Sequence, residues 1–116
     1  MKHKHHSIDY IEFTVSDMKA SKEFYRSIFD WDFTDYAPGY AGIKGEDKEI
    51  GGFSVGTPSP GGPLLVFYSE NLEESLAKVR AVDGEISKDI FDFPGGRRFQ
   101  FFDPDGLELA VWSEPK

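Results

Sequence analysis

The chain of 116 residues contains no cysteine. That excludes disulfides, thiolate metal ligands and any cysteine nucleophile or redox pair. No apolar run approaches the ~20 residues that a membrane-spanning helix needs. The N-terminus lacks the apolar core of a secretory signal, so a cytoplasmic protein is the expectation. Positive charge is also scarce. Thirteen Lys and Arg stand against 21 Asp and Glu, for a formal net charge of -8 and a pI near 4.8. A nucleic-acid binder should carry a basic footprint, and an anionic membrane surface attracts basic segments. Neither partner is expected, and the acidity reads as solubility. Histidine is confined to "MKHKHH". Such a run binds metal adventitiously and reads as a disordered tail or tag remnant over residues 1–7. Folded positions are then left with no His for catalysis or metal ligation.

What the chain does have is 39% hydrophobic and 16% aromatic residues, with eleven Phe. That composition builds a core without staples, in one domain over residues 8–116. "IDYIEFTV" (Ile8 to Val15) alternates as a strand. "SDMKASKEFYRSIF" has helical spacing at Met18, Ser21, Phe24 or Tyr25, and Ile28 or Phe29, with Ser16 or Asp17 as its cap. Short strand candidates follow near 31–36, 40–44 and 50–55. "TPSPGGP" (57–63) is a connector too short to be a domain linker. The pattern then restarts. "PLLVFY" is a strand and "NLEESLAKVRAVDG" a helix with Leu72, Leu76, Val79 and Val82 on one stripe. Asn71 and Glu74 have the spacing of a capping box, and Gly84 suits a left-handed C-terminal cap. Three strands are expected near 85–91, 97–103 and 107–113.

A shift of 54 superposes Asp17 on Asn71, Met18 on Leu72, Ser21 on Ser75 and Arg26 on Arg80. Each half is strand, helix, three strands. The expectation is an α+β fold of two βαβββ modules (8–56 and 63–113) in a pseudo-twofold arrangement, with curved mixed sheets forming a cup.

Alternation puts Tyr10, Glu12 and Thr14 on one face of the first strand, and Glu108, Ala110 and Trp112 on one face of the last. Leu64, Val66 and Tyr68 share a face in the strand that opens the second half. Tyr10, Tyr68 and Trp112 read either as an aromatic pocket wall or as core packing. Glu108 reads as a rim residue facing water. Arg97 and Arg98 read as surface charge beside the "PGG" turn rather than as donors to an anion. The glycine pairs at 51–52 and 95–96 precede no helix, so they are not phosphate loops; they read as turns or bulges. Tyr36 and Tyr40 in "TDYAPGY" read as a lid over the cup or as a contact with a partner subunit.

"FTVSDMKASKEFYRSIFDWDF" in the first half and "FPGGRRFQFFDPDGLEL" in the second resemble the vicinal oxygen chelate superfamily, which includes glyoxalase I, bleomycin resistance proteins and extradiol dioxygenases. Asp17 followed by Phe24-Tyr25, with the Asp103-Pro104-Asp105-Gly106 turn inside a repeat, carries that resemblance. "FDWDF" and "GGF" are most similar to the predicted-enzyme branch related to lactoylglutathione lyase. The resemblance implies a cup for a small molecule, a homodimer, and in many members a divalent metal held by His, Gln or Glu. Carried over, those ligand positions fall on Tyr10, on Leu64, on Ala110 and within "EIGGFSV". Leu and Ala offer no donor. The expectation is therefore a protein that binds a small, partly apolar molecule without a metal or other cofactor. It would act by sequestration, or with Glu12 in acid/base chemistry, with Tyr10, Thr14, Leu64, Val66, Tyr68, Glu108, Ala110 and Trp112 as ligand contacts. The alternative is a metal-dependent lyase, isomerase or dioxygenase using Zn, Ni, Mn or Fe. In it Glu108, Glu12 and Tyr10 are ligands, with Glu108 brought into the Glu position by a shorter turn after Gly106.

Overall fold

A computed structural model describes residues 3–58 and 61–116 of the chain. Ser59 and Pro60 of the expected connector, and Met1 and Lys2 of the expected tail, lie outside the described residues. The order of elements is that of the repeat. The first module runs β1 (Ile8–Val15), α1 (Met18–Phe29), β2 (Phe33–Ala37), β3 (Tyr40–Lys44) and β4 (Glu49–Val55). The second runs β5 (Leu64–Tyr68), α2 (Leu72–Ala81), β6 (Glu85–Phe93), β7 (Gly96–Phe102) and β8 (Glu108–Ser113). The fold is α+β with two βαβββ modules and mixed strand pairing. The chain divides into two compact units, residues 10–63 and residues 64–116 together with the segment 3–9. Among the described residues no helix is long and apolar enough to cross a membrane.

In the first unit the strand order is β2-β3-β4-β1. The two hairpins are antiparallel, and β1 closes on β4 in parallel, with Ile11 opposite Gly51 and Glu12 opposite Gly52. Asp17 begins α1 from extended backbone, its carboxylate accepting from the Ala20 N–H at 3.0 Å, which satisfies one of the orphan donors of the first turn. The strand face toward α1 supplies the core: Val15, Phe33, Ala41, Ile43 and Phe53, with Met18, Tyr25, Phe13 and Trp31 packed against it. The open choice on the α1 stripe resolves to Tyr25, which stacks on Trp31 with ring centres 4.8 Å apart. Phe24, Ile28 and Phe29 remain exposed.

The second unit repeats the connectivity as β6-β7-β8-β5, with β5 and β8 parallel. Its core is Leu72, Leu76, Phe99 and Val111, with Phe67, Val79, Ile86, Ile90 and Phe101 against it. Asn71 caps α2 by accepting from the Glu74 N–H. Two expectations at the end of α2 need correction. Val82 is 77% exposed, because the helix stops at Ala81 and the stripe loses its fourth position. The left-handed residue after the helix is Asp83 (φ 59°), not Gly84. Gly84 is required for proximity instead: its N–H reaches the Val79 carbonyl at 2.9 Å, and a Cβ there would lie 2.5 Å from Val79 Cγ1. The Asp-Pro-Asp-Gly turn forms as expected. The Asp103 carboxylate accepts from the N–H groups of Asp105 and Leu107, and Gly106 takes φ +85°.

Residues 3–7 are bonded, not loose. The His6 N–H donates to the Tyr68 carbonyl at 2.7 Å and the Tyr68 N–H to the Ser7 carbonyl at 3.0 Å, so this segment extends the pairing of β5 within its unit.

Candidate functional site

The face of the first unit turned away from α1 carries Tyr10, Glu12 and Thr14 on β1, Tyr40 and Gly42 on β3, and Gly52 and Ser54 on β4. Gly42 and Gly52 are register partners, and Gly52 also faces Glu12. The pair Gly51-Gly52 is therefore not a turn or bulge but the middle of a strand. Side chains are missing there because others fill the space. A Cβ on Gly52 would lie 2.3 Å from the Tyr40 hydroxyl and 2.6 Å from that of Tyr10. A Cβ on Gly42 would lie 1.9 Å from Glu49 Oε1. Glu49 reaches this face because the β3–β4 ladder shifts between Ile43 and Lys44; strict alternation from Gly51 would aim it toward the core, and the irregularity re-aims it.

Over these glycines two carboxylates are joined through two phenols, Tyr10 and Tyr40, and a third phenol, Tyr36, bonds to Glu49. The Tyr36 hydroxyl donates to Glu49 Oε1 at 2.6 Å and the Tyr10 hydroxyl to Glu49 Oε2 at 2.9 Å. The hydroxyls of Tyr10 and Tyr40 are 2.6 Å apart, and Tyr40 reaches Glu12 Oε2 at 3.2 Å. That makes four oxygen–oxygen contacts among three phenolic protons. A phenol donates once and an ionised carboxylate not at all, so with both acids ionised one contact holds no proton. A proton delivered to either acid fills the chain. Burial, reinforced by the Tyr40 hydroxyl and the Glu49 charge, pushes the Tyr10 phenol well above its ordinary pKa. Burial also raises Tyr40, opposed by its contact with the Tyr10 hydroxyl and reinforced by Glu12. The bond to Glu49 raises Tyr36. All three phenols therefore stay protonated at neutral pH.

The second unit presents Val66, Tyr68, Gln100, Ala110 and Trp112 on the face away from α2. Val66 faces Ala110 and Tyr68 faces Trp112 across β5 and β8. Val66, Tyr68 and Ala110 are buried and Leu64 is half-buried. Glu108 is not a water-facing rim residue: it is half-buried, and its Oε2 accepts from the Ser87 hydroxyl at 2.7 Å and from Gln100 Nε2 at 2.8 Å. Arg97 is tied to Glu73 on α2 and lies 3.9 Å from Asp92. Arg98 stacks its guanidinium over Phe91 and Phe93, 5.4 and 5.8 Å from their ring centres.

Of the residues picked from the sequence, Tyr10 and Glu12 join one hydrogen-bonded cluster, while Thr14 lies beside Gly56 without entering it. Tyr40 proves to be a member of the cluster rather than a lid. Glu49, Gln100, Asp9 and His3 were not singled out. The glycines at 42, 51 and 52 were the available signal for Glu49, because glycine in mid-strand marks a close approach.

The family's metal-ligand positions do not suit a divalent ion here. Leu64 and Ala110 have no donor atom. The Tyr10 oxygen would have to give up a proton that it already donates to Glu49. Among the described residues no three His, Cys, Asp or Glu side chains gather into a ligating group.

Residues 7–111 match the model of the Glyoxalase/Bleomycin resistance protein/Dioxygenase superfamily. The chain belongs to that superfamily. Among curated proteins it is 26% identical over 115 residues to the candidate glyoxylase CFP32 of Mycobacterium bovis and of Mycobacterium tuberculosis, and it spans 44% of the length of those relatives. Among solved structures, the Mn(II)-bound glyoxalase from Novosphingobium aromaticivorans superposes with a TM-score of 0.72 at 22% identity, covering 95% of this chain and 39% of that one. Methylmalonyl-CoA epimerase from Mycobacterium tuberculosis superposes at 0.69 with 12% identity, covering 93% of this chain and 87% of that one. At such identities these structures establish the fold alone.

Proposed function

We propose that this superfamily member binds a small, partly apolar molecule without a metal, using the Glu12–Tyr40–Tyr10–Glu49 cluster as its polar anchor. The observation that carries the reading is the proton count: four contacts share three phenolic protons, close-packed over Gly42 and Gly52. Within this cluster the Glu12 carboxylate accepts from Tyr40 at 3.2 Å. The Glu12 carboxylate is the acceptor for a ligand O–H or N–H. Binding alone suffices for sequestration. Where the ligand presents an acidic C–H, Glu12 is the base. The proton it takes leaves every contact in the cluster filled, which favours the transfer.

Two measurements test this together. Metal analysis by mass spectrometry is done on protein with His3, His5 and His6 replaced by Ala, purified without chelator. A small-molecule library is screened by thermal shift on metal-free protein. The expected result is no stoichiometric Zn, Ni, Mn or Fe, and hits whose stabilisation is lost in Glu12→Gln. About one metal per chain, removed by Glu108→Ala, would overturn the proposal in favour of metal-dependent glyoxalase-type or dioxygenase-type chemistry.

A further inference from the structure

We infer that Tyr68, Trp112 and Asp9 form a second binding site, for a flat organic cation carrying an in-plane N–H, and that His3 is its built-in occupant. The site lies wholly within the second unit and does not depend on the role proposed for Glu12. The His3 ring stacks on Tyr68 with centres 5.0 Å apart and planes 22° apart, and meets Trp112 edge-on at 5.0 Å and 90°. Its Nδ1 lies 3.0 and 3.1 Å from the two oxygens of Asp9. A carboxylate accepts only, so Nδ1 is the donor. The Asp9 side chain is 3% exposed, and its Oδ2 also accepts from Trp112 Nε1 at 3.0 Å. Indole and acid thereby fix each other's orientation. Tyr68 is held in turn by its bond to Glu114 at 2.6 Å.

One aromatic face, one aromatic wall and a buried carboxylate in the plane of the guest are the elements that select a planar cation over a neutral ring. The surroundings add to this. Glu114, Glu70 and Asp9 all raise the Tyr68 phenol, so the negative field extends across the ring that the guest stacks on. His3 uses nothing specific to histidine, only a flat ring and one N–H. It is delivered by its own backbone, which is pinned nearby by the His6 and Ser7 pairings with Tyr68. Those are main-chain bonds, so replacing the His3 side chain empties the site without cutting its tether.

The test is isothermal titration of full-length His3→Ala and of the wild type with benzamidine, a planar amidinium that is cationic at neutral pH. Benzamide serves as its neutral isostere. A tethered occupant competes at millimolar effective concentration. Benzamidine should therefore bind His3→Ala at least about tenfold more tightly than it binds the wild type, and more tightly than benzamide does. Adding Asp9→Asn should abolish the preference for the cation. Equal affinity for benzamidine and benzamide in His3→Ala, or equal affinity of wild type and His3→Ala for benzamidine, would overturn the inference. Circular dichroism checks that the Asp9→Asn chain folds. If it does not, Tyr68→Leu in the His3→Ala background replaces it, and benzamidine affinity unchanged by loss of that ring would also overturn the inference.

Discussion

The hydroxyls of Tyr10 and Tyr40 lie 2.6 Å apart in the space that a Cβ on Gly52 would occupy. Gly52→Ala should therefore displace both phenols and destabilise the fold by about 1–3 kcal/mol, as over-packing does. Urea denaturation reads this as a lower midpoint. Gly39→Ala is the matched control: nothing lies within 4 Å of its Cβ position, and it should shift the midpoint little.

Alkaline titration reads the same cluster another way. Tyr10, Tyr36 and Tyr40 are all raised, and Tyr68 is pushed up to about 12 by its bond to Glu114. Raised phenols keep their protons in the folded chain while the unfolded chain releases them from about pH 10. Their contribution to stability is present below pH 10 and is lost as pH rises toward and through the folded values. Tyrosinate absorbance of four of the five tyrosines should lag the free-phenol curve until the protein unfolds. Tyr68→Phe should remove the Tyr68 part of that lag.

At the acid end, the bond from Arg97 lowers the Glu73 carboxyl to about 2. A lowered carboxyl contributes stability above its ordinary range, and that contribution disappears as pH falls from about 4.5 toward about 2. Arg97→Gln should lower the denaturation midpoint at neutral pH, and the gap to wild type should close across that window. A gap that persists at pH 2 would mean that Arg97 acts through packing and not through Glu73.

Phenylalanines separate cleanly by position. Phe53 and Phe99 are fully buried, one in each core, and either one changed to Ala should cost about 3–5 kcal/mol. Phe24 is 59% exposed on α1; Phe24→Ala should stay within about 0.5 kcal/mol. Equilibrium unfolding of the three variants checks the contrast.

Much of the fold was legible because it is written locally. The alternation in Ile8–Val15, the Asp17 and Asn71 caps and the Asp103–Gly106 turn each follow from side chains acting on nearby backbone, and all form. The repeat then supplied the order of elements. The site was legible only in part. Tyr10 and Glu12 sit on a strand whose alternation shows their shared face. Glu49 does not, because a ladder shift between Ile43 and Lys44 reverses the face its parity implies, and no local residue announces that shift. The role of His3 is not legible in the tail because its partners, Tyr68 and Trp112, are remote in sequence, one mid-chain and one near the C-terminus. Gly84 was misread for a related reason: its spacing suited a left-handed cap, whereas contact with Val79 is what requires it.

Each module is closed by its own first and last strands, Ile11 meeting Gly51 in one and Leu65 meeting Leu109 in the other. A chain leaving the ribosome therefore presents β1, and later β5, long before the parallel partner of either exists. Until β4 or β8 is made, the helix and the single hairpin β2–β3 or β6–β7 of that module have an unfinished sheet to rest on, with apolar residues such as Val15 or Phe67 left waiting. Synthesis delivers two separate moments of closure rather than one. Slowing translation before β4 or β8 has emerged from the ribosome should prolong exposure of an open strand edge.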